Sequence, residues 1–125
     1  MRDLASCSGP WSGFWIQGWT RGNMKLRLRF EKTDILGEGT DLSGDFTISG
    51  IFSPETNRVL FTKSYHWQSV DYSGLWDGQL IYGKWTLLDD EYGEQGEFEI
   101  WPDSEDQGLM AFSGSIEDVK ALPRC

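Results

Sequence analysis

One histidine, two cysteines and four prolines in 125 residues leave little material for several kinds of chemistry. A zinc site needs several nitrogen or sulfur ligands, and His66 with two distant cysteines cannot supply them. A haem barrel held by a proximal histidine is disfavoured for the same reason. His66 also points outward in the strand pattern derived below, so no nucleophile–base–orienter triad can be built on it. Positive charge is scarce too: 11 basic residues face 20 acidic ones, a net charge of -9. That balance argues against nucleic-acid phosphates and against anionic membrane surfaces as partners. No apolar run is long enough to span a bilayer. There is no glycine-rich phosphate-binding motif and no repeat of solenoid length. No cofactor and no metal are expected.

The chain is rich in glycine and aromatics instead: 15 Gly, 7 Trp, 7 Phe and 4 Tyr. This composition suits aromatic strands separated by many turns. Residues 1–10 read as an N-terminal tail without the apolar core of a secretory signal, which points to a cytoplasmic protein. Leu4-Ala5-Ser6-Cys7 has the form of a lipobox, so export or lipid anchoring through Cys7 is the alternative if the start is trimmed. Cys7 and Cys125 stand at opposite ends of the sequence. A closed barrel brings its termini together, so a disulfide between them is compatible with the fold; two unpaired thiols are the other option.

Residues 11–101 read as one domain of eight strands. The first covers 12–20, and periodicity leaves open which of its faces is inside. Residues 23–31 alternate without fault, Met24, Leu26, Leu28 and Phe30 against Lys25, Arg27, Arg29 and Glu31, a strand with one dry and one wet face. Strands at 35–42 and 45–52 are joined by a four-residue loop at 42–45, which sets Asp41 opposite Phe46. Three strands between Arg58 and Leu87 are joined by turns at Gln68-Ser69 and at Asp77-Gly78, the latter a strong hairpin signal. Counting outward pairs Trp67 with Val70, Tyr65 with Tyr72 and Trp76 with Gln79. One face then holds Phe61, Lys63, Tyr65, Trp67, Val70, Tyr72, Gly74, Trp76, Ile81, Gly83 and Trp85, and it is expected inside. The other carries His66, Asp71 and Lys84 in a cross-strand row of alternating charge. An acidic loop at 89–93 precedes the eighth strand, 94–101. Its carboxylates, Asp89, Asp90 and Glu91 with Glu94, lack EF-hand spacing and read as a solvated loop. Residues 102–125 form a C-terminal extension with a possible short segment at Met110-Ala111-Phe112. Ser115-Ile116-Glu117-Asp118, a capping box, opens a short helix that ends at Leu122 before Pro123. Short connections between all eight strands predict an all-β, antiparallel up-and-down barrel, since closure removes the exposed edges of an open meander. A two-sheet sandwich would satisfy the same alternation.

Gly13-Phe14-Trp15 resembles the G-x-W that opens lipocalin-type barrels, and the length and strand plan are similar to the calycin group, avidin-like barrels included. The run Gly44-x-Phe46-Thr47-Ile48-x-Gly50, Val59-x-Phe61-x-Lys63-x-Tyr65, Tyr72-x-Gly74 and Asp77-Gly78-x-x-Ile81-x-Gly83-x-Trp85 resembles uncharacterised small barrel proteins over residues 37–100. The resemblance implies a calycin-like barrel and brings no activity with it. The long first loop and paired cysteines of secreted lipocalins are not apparent.

Lys63 is the residue that breaks the apolar rule of the inner face. A buried ammonium needs a partner or loses its proton. Asp41, on the same face two strands away, is the expected one, with Tyr65 and Tyr72 beside it. In one reading the barrel is filled and Lys63 is an ion-paired core residue. In the other, space remains: Lys63, Asp41, Tyr65 and Tyr72 orient a small apolar or anionic ligand, while Trp67, Trp76 and Trp85 stack on it. A third has Lys63, Tyr65 and Asp41 performing Schiff-base or proton-transfer chemistry. A filled barrel would instead be a structural or interaction module, a homo-oligomer joined through outward aromatics such as Trp19 or Trp101. The basic stripe Lys25-Arg27-Arg29 reads as a solvated face, with docking of an acidic partner as the alternative.

Overall fold

The computed structural model describes residues 2–87 and 93–103. The expected C-terminal helix at 115–122, the segment at 110–112 and most of the acidic loop lie outside the described residues. Eight antiparallel strands close into one barrel: β1 (Gly9–Gln17), β2 (Thr20–Glu31), β3 (Asp34–Asp41), β4 (Gly44–Phe52), β5 (Arg58–Tyr65), β6 (Ser69–Trp76), β7 (Ile81–Leu87) and β8 (Gln95–Pro102). Each strand pairs with its sequence neighbour, and β8 closes on β1 through Gly13 opposite Ile100. The sandwich alternative is thereby excluded. Among the described residues no helix is long and apolar enough to cross a membrane.

Five of the hairpins turn on two residues, and this is where the register departs from expectation. Gln17 pairs with Thr20 across Gly18-Trp19, so β2 begins at Thr20 and the expected turn at Gly22-Asn23 is strand. Gly18 takes φ +59, a conformation suited to glycine at the first central position of such a turn. Asp41 pairs with Gly44 across Leu42-Ser43, not with Phe46. The Tyr65 N–H donates to the Gln68 carbonyl, so His66-Trp67 is the turn. The Asp77 N–H donates to the Leu80 carbonyl, which centres the other turn on Gly78-Gln79. The Asp77 carboxylate accepts from the N–H groups of Gln79 and Leu80 at 2.8 and 2.9 Å, an Asx arrangement that draws the turn one residue along.

Every register shift is by an even number of residues, so the faces survive. Lys63 pairs with Val70 and Tyr72 with Trp85, all inward as expected. The row His66–Asp71–Lys84 does not form. Asp71 instead lies opposite Thr62 and accepts its hydroxyl hydrogen bond at 3.0 Å. In β1 the ambiguity resolves with Trp11, Gly13 and Trp15 inward; Phe14 packs outside on Trp101, ring centroids 6.1 Å apart.

The two ends of the barrel differ. The stretch expected as a tail is packed: a 3-10 turn at Leu4–Ser6, N-capped by Asp3, places Leu4 and Cys7 in the core. Trp11, with no exposed surface, donates its indole N–H to the Cys7 carbonyl at 2.8 Å and packs against Phe30 and Trp76. Trp76 donates to the Arg2 carbonyl, and Arg2 in turn to the Gly78 carbonyl. The described residues contain no free cysteine, and Cys125 lies outside them. This plug closes one end. At the waist, Phe61 stacks on Tyr72 at 4.8 Å, and Phe98 meets both edge-on. The rings fit because Gly74 and Gly83 are cross-strand partners there: a β-carbon on Gly83 would fall on the Ser73 carbonyl and the Gly74 Cα. The opposite end is formed by the turns at 18–19, 42–43 and 66–67 and by the ends of β7 and β8, and no described residue covers it.

Candidate functional site

The inward end of β5 carries Lys63 to the floor of that uncovered end. Its side chain is 2% exposed, and Nζ donates to Asp41 Oδ2 at 2.7 Å. Asp41 closes β3 one residue before the 42–43 turn, and its side chain has no exposed surface. Glycine at 39, opposite Phe46, leaves room for the ring that roofs the pair. The carboxylate is thoroughly satisfied. Oδ2 also accepts from the Tyr65 hydroxyl and from Trp15 Nε1 at 3.3 Å, and Oδ1 accepts from the Ser43 N–H at 2.8 Å. The ammonium has fewer polar partners. Beyond Asp41 it meets the Met24 sulfur at 3.8 Å and the faces of Phe46, Tyr65 and Tyr72 at 4.7, 5.1 and 5.3 Å, which hold a cation through their quadrupoles.

A cavity of about 80 Å³ adjoins this cluster, with Lys63, Tyr65, Tyr72, Trp15 and Trp85 on its walls and Gln68 and Ser43 among the residues at its edge. Drug-sized ligands need roughly 300 Å³ or more. The space therefore takes a few non-hydrogen atoms, not a molecule enclosed along the whole barrel axis. Trp85 Nε1 is committed to the Ile16 carbonyl at 3.0 Å. Tyr72 is different. Its side chain is buried, it lines the cavity, and its hydroxyl has no hydrogen-bond partner among the described residues.

Of the residues singled out from sequence, Lys63, Asp41, Tyr65, Tyr72 and Trp85 converge here. Trp76 does not, because it belongs to the plug at the far end. Nor is Trp67 inside: as a turn residue it is 64% exposed and stacks on the outer side of Tyr65 at 5.3 Å. Trp15 was missed because β1 gave no facial signal, and Ser43 and Gln68 because both were read only as loop residues. Trp19, Leu42 and Trp67, the three most exposed large apolar side chains described, all sit on turns of this rim. Among the described residues no three His, Cys, Asp or Glu side chains are grouped to hold a metal ion.

Burial disfavours the Asp41 carboxylate, but hydrogen bonds from Lys63 and Tyr65 and the Lys63 charge outweigh it and hold its pKa below the ordinary 3.8. Burial lowers Lys63 from 10.5, against the opposing pull of Asp41. Burial and the Asp41 charge raise Tyr65 and Tyr72 well above 10.0. The signs follow from linkage. The stabilisation from Asp41 is complete above pH 3.8 and is lost as pH falls through its lowered native value. Lys63 favours the fold more as pH rises from its lowered native value to 10.5. The two tyrosines act oppositely: above pH 10 the unfolded chain releases protons that the native chain keeps. The urea midpoint is thus expected to fall at both extremes, and Tyr72→Phe to flatten the alkaline fall. An alkaline limb identical in wild type and variant would contradict this assignment.

No protein-family model, curated protein or solved structure matches this chain.

Proposed function

We propose that this protein is a calycin-like barrel that binds a small molecule at the end opposite the plug. The observation that carries this is the Tyr72 hydroxyl: the residue lines the cavity, and the hydroxyl has no protein partner among the described residues and is not sealed from solvent. A hydroxyl held on a cavity wall and left without a protein partner is available to hydrogen-bond what enters. The plug supports the same reading, since the described residues close the barrel at one end and leave the other uncovered, the form of a cup. Its walls supply apolar area and its floor a few placed donors, the build of a small-molecule site. The ligand's polar end is taken as an acceptor: the Tyr72 phenol has its O–H to give, and Lys63 beside it is a donor too. The Lys63 charge is already matched by Asp41, and the chain carries -9 overall, so a neutral acceptor suits the floor better than a free anion.

Trp15 and Trp85 make the cavity visible to fluorescence. Titration with small amides, ketones and carboxylates is expected to shift tryptophan emission. Tyr72→Phe should weaken the best ligand about three- to tenfold, the worth of one hydrogen bond. If no compound changes the emission at millimolar concentration, the cup is not a binding site. The interaction-module reading then takes over, favoured by the exposed rim and by Ile51, Leu60, Leu75 and Tyr82 on the outer wall. Its signature is a self-associated species in light scattering.

A further inference from the structure

We infer that Lys63 captures small aldehydes and ketones as a reversible imine, with Tyr72 polarising the carbonyl oxygen and Asp41 receiving the ammonium proton. The inference rests on the binding reading above and names the ligand class that the same floor would hold covalently. Three placements carry it. Lys63 is among the residues that line the cavity, although its side chain is only 2% exposed, so a carbonyl compound must enter the cavity to meet it. Asp41 Oδ2 lies 2.7 Å from Nζ, within reach for proton transfer. The Tyr72 ring lies 5.3 Å from Nζ, and its unpartnered hydroxyl faces the same cavity, so one donor is free for the carbonyl oxygen while Tyr65 is committed to Asp41. The space of about 80 Å³ admits a short-chain carbonyl compound and excludes a bulky one.

The step balances without oxidant or reductant. Asp41 takes one proton from the ammonium, leaving the neutral amine. The nitrogen lone pair forms the C–N bond, and the carbonyl π pair moves to oxygen, which is protonated as the amine loses a hydrogen. The carbinolamine then expels that oxygen as water with the second amine hydrogen, leaving C=N. Asp41 returns its proton to the imine nitrogen, and an iminium–carboxylate pair replaces the original ion pair. Burial lowers Lys63 from the ordinary lysine value, which raises the neutral fraction available for attack. The groups facing Nζ are Asp41 from β3, Tyr65 from β5 and Tyr72 from β6, with uncharged Met24 and Phe46 from β2 and β4, so Asp41 is the one charge among them.

The test is reductive trapping of the folded full-length chain with propanal and cyanoborohydride, followed by peptide mapping. Lys63 is expected to be alkylated at least tenfold faster than the exposed Lys25, Lys32 and Lys84. That preference should vanish in guanidinium. Tyr72→Phe should slow Lys63 about tenfold and leave Lys84 unchanged. Labelling confined to the exposed lysines, or a preference that persists in denaturant, overturns the inference. A parallel fluorescence titration with propanamide, which can accept a hydrogen bond but cannot condense, separates the two claims. Propanamide binding without Lys63 labelling removes the imine and keeps the pocket; silence from both compounds removes both.

Discussion

Asp41→Asn is expected to destabilise the fold by about 3–5 kcal/mol at neutral pH, the cost of stranding one member of a buried ion pair. The substitution keeps the shape and an acceptor oxygen, so the loss isolates charge. The Lys63 ammonium, 2% exposed, would be left with three aromatic faces and a sulfur. Lys63→Met is expected to cost less, because the remaining carboxylate keeps donors from Tyr65, Trp15 and Ser43. The double variant should lose less than the sum of the two, since each single change leaves a partner that the double one removes. Raising pH should narrow the Asp41→Asn deficit, because Lys63 then sheds its proton. Urea midpoints at constant slope measure all three. A cost below about 1 kcal/mol for Asp41→Asn, within the range of exposed ion pairs, would show that water screens the pair as it does at a surface.

The pairing of Lys63 with Asp41 was legible in the sequence even though the register around it was not. The reason is parity. Strands alternate with a period of two, so a turn centred one residue away shifts the register by two and leaves each side chain on its own face. Asp77-Gly78 pointed to the right hairpin with its centre one residue early, because the pull of the Asp77 carboxylate on the Gln79 and Leu80 amides is a side-chain effect. Cross-strand charge was a poor guide at His66: Ser64 opposite Ser69 and the Thr62–Asp71 hydrogen bond took precedence over an exposed His–Asp–Lys row. Trp67 was placed inside by the register that set it opposite Val70; the turn at His66-Trp67 takes it out of the strand, and it is 64% exposed. The plug was invisible for another reason. Residues 1–10 show no periodicity, and what orders them are contacts as remote as Trp76 with Arg2, 74 positions apart.

Those remote contacts set up the second large effect. Trp11→Ala is expected to cost about 3–5 kcal/mol, the range for truncating a fully buried tryptophan. Trp11 has no exposed surface, and its ring joins β1 to Phe30 on β2 and to Trp76 on β6, while its indole N–H anchors the Cys7 carbonyl. Truncation would remove the packing and leave that carbonyl without its donor, so the N-terminal plug should loosen along with the barrel. Amide exchange across residues 2–8 should rise together with the fall in the urea midpoint. Trp19→Ala, the same chemical deletion eight positions along the chain, is expected to stay within about 0.5 kcal/mol because that ring is fully exposed on its turn. The contrast discriminates between the two ends. A cup needs a rigid base and a rim free for contact with what enters, so stability should reside in Trp11 and not in Trp19. Equal costs at the two positions would mean that the rim is packed in solution or that the base is not. Either result would remove the asymmetry on which a one-ended binding site depends.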